Sequence, residues 1–366
     1  MSNVNDLSIN EKLDRLLSFQ SVADEAEKVT SSPAPTAQGQ VGPPITFSVI
    51  FFSDVNQALD HKYQLVFDVT TFADQHGFKA VWMPERHFHP FGGIYPNPAT
   101  LAAALAVKTK NIRLRSGSVV LPLHHPVEVV ETWAMVDNLS GGRVDMGFAS
   151  GWNPNDFLLS PGTYANRKEV WQERIPLVQK LWRGEPVMFK NGKGDEVEIQ
   201  IYPKPVQPEL NVWFVISKLD ESFIYAGSQG YNVLTMLQGI DLAEMGKKIQ
   251  LYRTARKENG FDPDAGIVTL MLHTLVHKDL KRVEAAVREP FYTYIKSAVT
   301  GHIQILDQDQ RPSEAELNKI VDYSYERYFK TGALFGSVQE TEAVVEKAIS
   351  VGVNEIACLM DFGVDY

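Results

Sequence analysis

Residues 84–98 bring together a carboxylate (Glu85), a guanidinium (Arg86), two imidazoles (His87 and His89) and three aromatic rings (Phe88, Phe91 and Tyr95). Imidazoles titrate near neutrality and move protons. An arginine stays charged and holds anions, and aromatic rings keep water out of a pocket. His87-Phe88-His89 is also an H-x-H pair, a pattern that can ligate a metal ion. A second polar stretch, Ser116-Gly117-Ser118, interrupts an otherwise apolar run and reads as a bulge.

Such groups need a frame. The loop follows the apolar run Ala80-Val81-Trp82-Met83, a buried strand, and precedes an Ala-rich helix over 99–108. A polar and aromatic loop between strand and helix is where barrels and open sheets keep their chemistry. Further strands are expected at 45–52, 112–121, 143–149, 212–217, 231–237, 267–276 and 355–360. Helices are expected at 59–76, 126–139, 167–182, up to 230, at 241–259 and from 279. A hairpin excursion fills 186–202, around Asn191-Gly192-Lys193-Gly194. Eight buried strands alternating with helices fit an α/β fold of the (β/α)8 TIM-barrel type. A doubly wound sheet has fewer strands and a Gly-rich first turn, absent here.

The barrel domain is expected over 45–366, with a polar insertion at about 296–335 before the last helix and strand, a candidate lid. Residues 1–44 read as an amphipathic helix over 8–20, with Ser8 as N-cap and Glu11 in capping-box position, then a flexible Pro/Ser/Gln linker. The chain ends five residues after Asp361, which leaves no sequence for a last barrel helix. The N-terminal helix, or a neighbouring protein, is expected to cover that gap.

Of 366 residues, 44% are hydrophobic and 22% charged, and the net charge of −10 argues against nucleic-acid or anionic-membrane surfaces. A local phosphate pocket remains allowed. Cys358 stands alone, so no intrachain disulfide forms, and its strand-like surroundings make it a small apolar residue rather than a nucleophile. No stretch reaches membrane-spanning length and no signal pattern opens the chain, so a cytoplasmic protein is expected.

Read in order, Glu85-Arg86-His87-Phe88, Phe91-Gly92, Asn97-Pro98, Gly117-Ser118-Val119-Val120-Leu121-Pro122, His125-Pro126, Asp137, Ser140-Gly141-Gly142-Arg143, Gly147 to Gly151 and the tail Asp361-Phe362-Gly363 resemble bacterial luciferase-like flavin monooxygenases. The loop at 84–93 together with Gly151-Trp152-Asn153-Pro154-Asn155-Asp156-Phe157 is similar to the subgroup associated with polyketide and nonribosomal-peptide assembly lines. The resemblance implies a homodimer that uses FMN, reduced by a separate flavin reductase, and O2 on an acyl or aminoacyl intermediate, free or bound to a carrier protein. It places the bulge at Gly117 and Ser118, often with a non-proline cis peptide, against the flavin ring. It assigns the FMN phosphate to Ser150, Arg167, Ser217, Lys218 and Ser222. It makes Phe88, Phe91, Tyr95 and Trp152 walls of the substrate pocket.

Three departures stand out. The luciferase loop carries two adjacent His, the first implicated in acid–base work, and Arg86 takes that place. Arginine cannot be a base near neutrality, so proton handling shifts to His87, with His89 beside it, and Arg86 becomes an anion holder. The reactive cysteine position is Ala149. The turn at 215–222 lacks the subgroup's glycine, and Asp220 and Glu221 could oppose a phosphate there. His125 matches a family position and could orient the loop. The competing readings are a non-catalytic flavin-binding partner subunit, a deazaflavin-dependent oxidoreductase, and a metal-dependent barrel hydrolase using His87, His89 and Asp361. Against the last, strands four to six end in Ser150, Ser217 and Gln238, which are not metal-ligand types.

Overall fold

The computed structural model describes residues 45–53, 61–304 and 311–364, so the expected N-terminal helix and linker lie outside it. In chain order the elements are β1 (Thr46–Ile50), α1 (Gln64–Gln75), β2 (Ala80–Met83), α2 (Pro98–Lys108), β3 (Arg113–Val120), α3 (Pro126–Ser140), β4 (Val144–Ala149), α4 (Arg167–Trp182), β5 (Val187–Lys190) and β6 (Glu196–Ile199). They continue with β7 (Val212–Val215), α5 (Asp220–Ser228), β8 (Asn232–Met236), α6 (Leu242–Glu258), β9 (Val268–Val276), α7 (Leu280–Gln304), α8 (Glu314–Thr331), β10 (Ala333–Gly336), α9 (Val338–Ser350) and β11 (Glu355–Leu359). Strands β1, β2, β3, β4, β7, β8, β9 and β11 pair in parallel and close on themselves. This is the expected eight-stranded barrel, and β5–β6 is the expected hairpin.

Local chemistry sets the helix starts at the C-terminal mouth. Asn97 accepts a bond from Thr100 N at 2.9 Å, with Pro98 opening α2. His125 accepts from Val127 N, with Pro126 opening α3. His125 therefore acts as a helix cap.

The outer core joins helices to strands through residues such as Val81, Leu114, Phe148 and Ile249. The inner core stacks Trp82 against Trp213 edge-on at 5.6 Å, with Arg115 over both rings. Cys358 is buried, and burial pushes its thiol up to about 11, which fits a structural residue.

Two features depart from expectation. Helix α7 runs unbroken through position 296, despite Pro290, so the expected start of the insertion falls inside a helix. A short strand, β10, ends the insertion and pairs with β9 from His273 to Val276. β9 has nine residues, and its register with β11 stops at His273, so its last residues offer a free edge that Ala333-Leu334-Phe335-Gly336 fills. The insertion is polar outside only. Phe291, Tyr294, Ile295, Ile320 and Val321 pack on the barrel's inner residues Ile50, Leu359 and Phe362.

Candidate active site

The extended segment after β2 puts Glu85 and His87 two residues apart, the spacing that brings side chains to one side of an extended chain. His87 Nε2 lies 2.8 Å from Glu85 Oε1, and His124 Nε2 lies 2.6 Å from the same oxygen. Val120 N, at the end of β3, donates to Oε2 at 2.7 Å. Burial alone would raise the Glu85 carboxyl, but the bonds from His124 and His87 hold it below its usual value. Burial works against a charge on His124, yet its bond to Glu85 raises it above the ordinary imidazole value. An ionised Glu85 fixes the His87 tautomer with the proton on Nε2 and leaves Nδ1 as an acceptor.

Arg86 is buried at 3% exposure. Its Nε donates to the Phe91 carbonyl at 3.3 Å, and its guanidinium lies 4.4 Å from the centre of the Trp152 ring. Gly92, at φ +78, makes the fold-back possible, since a Cβ there would meet Arg86 Cγ and Phe52 Cε1 at 3.0 Å. Asp156 Oδ2 stands 3.8 Å from Arg86 Nη1. Burial pushes the Asp156 carboxyl up to about 6, against the pull of Arg86. From α7, His302 lies over Trp152 at 4.2 Å. Burial, with the charges of Arg86 and His89, lowers His302 to about 4. His89 rests on α7 at Gly301, where a Cβ would approach its ring to 3.1 Å, and its Nδ1 accepts from Phe91 N.

The aromatic residues divide. Tyr95 is buried, and its hydroxyl donates to Asp361 Oδ2 at 2.7 Å, which ties the loop to the end of β11. Asp361 also accepts from Phe52 N, and burial still pushes its carboxyl up to about 6. Phe91 is buried between Phe52 and Tyr294 at 5.0 and 4.9 Å. Phe88 is 60% exposed at φ +52, an uncommon backbone for a bulky residue. With Pro154, Phe157, Leu158 and Tyr164 it lines an outer pocket of about 630 Å³.

The Gly117–Ser118 peptide is cis, and the β3–β4 register slips between Gly117 and Val119, as a bulge there requires. β4 pairs with β7, so the loops after them, which carry the remaining residues of the set, are neighbours at the mouth. Arg167 opens α4, its Nε donating to the Gly151 carbonyl at 3.1 Å and its Nη1 to the Tyr164 carbonyl at 3.0 Å. Ser150 is buried beside Gly151, its hydroxyl 3.5 Å from the Gly151 carbonyl. Ser217 and Lys218 precede α5, and Ser222 lies in its first turn. Asp220, in the same turn, is bonded by the buried Lys248 at 2.6 Å, so its charge is matched.

The fold thus brings Arg86, His87, His89, Phe91 and Trp152 together, and gathers the serines with Arg167 and Lys218 on two adjacent loops. Sequence reasoning gave no role to Glu85, His124, Asp156, His302 or Lys248. The i, i+2 spacing of Glu85 and His87 was a usable signal. Asp156 and His302 join the site only through tertiary folding. Among the described residues no group of three or more His, Cys, Asp and Glu side chains is placed to hold a metal ion, and no helix is long and apolar enough to cross a membrane.

A family model described as luciferase-like monooxygenase matches residues 45–352. The chain is 28% identical over 317 residues to the oxygenase component of the flavin-dependent trigonelline monooxygenase of Acinetobacter baylyi, covering 85% of this chain and 86% of that one. It is 25% identical to the alkanal monooxygenase alpha chain of Photorhabdus laumondii, covering 78% and 82%. Among solved structures it resembles monooxygenase RslO1 from Streptomyces bottropensis, with a TM-score of 0.72 at 22% identity over 87% of this chain and 93% of that one.

Proposed function

The chain belongs to the luciferase-like monooxygenase family, a family of flavin-dependent enzymes, and from that premise we propose that it is the oxygenase component of a two-component system that uses FMN reduced by a separate reductase. The observation that carries this reading is the Glu85 carboxylate. It bonds His87 and His124 and pins the end of β3 through Val120 N, so one ion organises the proton-handling loop beside the bulged strand.

The donor set suits FMN. Arg167 and Lys218 supply positive charge, Ser150, Ser217 and Ser222 supply hydroxyls, and the start of α5 supplies backbone amides, which together match a phosphate. The Lys248–Asp220 bond offsets the acid in that turn. Gly117 and Ser118 would lie against the ring. Bound there, reduced FMN supplies the reaction with O2.

The protein's part is positioning and proton control. His87, held by Glu85, takes or returns a proton at Nδ1. Arg86 sets a positive field inside a dry wall made with Phe91 and Trp152, with His89 braced against α7. Phe88 and Tyr164 guide an apolar substrate portion at the outer pocket. An acyl or aminoacyl substrate, free or carrier-bound, fits that apolar approach.

Titration with oxidised and reduced FMN, followed by absorbance on mixing with air, tests the reading. Binding is expected, and Arg167→Ala should weaken it about tenfold or more, the equivalent of losing ~1.5 kcal/mol of charge-assisted bonding. If neither redox state of FMN binds while a deazaflavin does, the deazaflavin-dependent oxidoreductase is correct instead. FMN binding without oxygen consumption would leave a non-catalytic flavin-binding subunit.

A further inference from the structure

Arg86 is a buried cation that the fold leaves with most of its hydrogen-bonding capacity unused. It is 3% exposed, yet among the described residues its guanidinium makes one hydrogen bond, to Phe91 O, of the five it can donate. Its ion-pair partner is poorly engaged: at 3.8 Å, Asp156 Oδ2 is beyond hydrogen-bond reach. The other carboxyl oxygen, Asp156 Oδ1, is buried with no hydrogen-bond partner among the described residues, and the residue is 5% exposed. Buried polar atoms are nearly always bonded, so Asp156 is a loosely held partner for Arg86. Trp152 braces the guanidinium plane, and His302 from α7 lies on the same ring. The nearby anion, Glu85, is already bonded by two imidazoles and a backbone amide and does not compete for Arg86.

We propose that Arg86 binds a carboxylate on the substrate, which displaces Asp156 as the partner of the guanidinium. The inference rests on the monooxygenase reading and names its substrate class: an organic acid whose carboxylate enters between the 84–98 loop, Trp152 and α7. A planar carboxylate accepts two parallel bonds from a guanidinium fork, which Asp156 at its present distance does not. Arg86 is the binding residue, and Asp156 the charge that competes for it.

Isothermal titration of the FMN-equilibrated protein with benzoate and hexanoate, each against its own amide, tests this. At least one carboxylate is expected to bind tenfold or more tightly than its amide. Arg86→Gln should abolish that preference. Asp156→Asn should strengthen carboxylate binding several-fold, because it removes the competing charge. Equal binding of acid and amide, no binding of either carboxylate, or an Arg86→Gln protein that keeps the preference overturns the proposal. If Arg86→Gln does not fold, Asp156→Asn decides alone, and carboxylate binding no tighter than in the native protein sinks the idea. The FMN titration separates the two readings. Flavin binding with no acid preference defeats only the carboxylate site, and acid preference without flavin binding defeats only the monooxygenase.

Discussion

At the scale of residues, the site is governed by how one carboxylate is shared. Glu85 is ionised because three donors converge on it, and the same contacts raise His124. The two shifts have opposite pH consequences. A lowered carboxyl contributes stability above its unfolded value of about 4.3, lost as pH falls through the folded value. A raised imidazole contributes stability below its unfolded value of about 6.5, lost as pH rises through the folded value. The pair therefore stabilises most between about pH 4.3 and 6.5. Replacing Glu85 with Gln should widen the urea-unfolding gap from the native protein most in that window and narrow it by pH 8. NMR titration of His124 in the variant should show a lower pKa than in the native chain. An unchanged His124 would mean that Glu85 does not carry its charge. The same substitution should slow turnover, since Glu85 bonds His87 and the end of the bulged strand.

At the scale of elements, the loops after β2 and β4 meet the C-terminal end of α7, and α7 is held by its apolar face. Phe291 is fully buried and packs on His273, Phe335 and Phe362 at 4.8 to 5.6 Å. Phe291→Ala should cost about 3–5 kcal/mol. Hydrogen exchange should then rise in α7, α8 and β10 before it rises in β1 to β4, because the helices attach to the barrel through that cluster. Uniform loosening of the whole barrel would argue against a separately mounted cover. The strands and helices of the barrel were legible because most strands are apolar runs closed by a turn and several helices open on a capping residue, as with Asn97-Pro98. The cover was legible as a polar stretch with a helix from Glu314, which the structure has over Glu314–Thr331, but not in its apolar face or its strand. Its inner stripe of Phe291, Tyr294, Ile295 and Val299 is diluted by charged residues, and β10 is four residues long. The same limit applies to the site. Local motifs marked 84–98 and 116–118, whereas His124 could not be told from His125 by sequence, and Asp156 and His302 come from distant segments.

At the scale of the whole molecule, a buried ion network joins the first and last strands of the barrel. Arg115 on β3 bonds Asp145 on β4 at 2.8 Å and both oxygens of Glu355 on β11 at 2.8 and 2.9 Å. Glu355 also accepts from Ser48 on β1 at 2.8 Å, so it spans the seam where the chain's last strand meets its first. Arg113 bonds Asp145 from outside the barrel axis, so Asp145 already answers one guanidinium. Removing Glu355 would leave two arginines to one aspartate in a buried place. Glu355→Leu should therefore cost about 3–5 kcal/mol in urea unfolding, because the loss is that of an uncompensated charge rather than of one bond. Arg115→Met added to Glu355→Leu should return much of that stability, since an apolar filling of similar volume avoids the desolvation of both ions. The order of stabilities, with the double variant above the single one, is the test. A double variant less stable than Glu355→Leu would mean that the network closes the seam by its own attraction. The apolar layer of Trp82 and Trp213 directly against it would then be the weaker fastening.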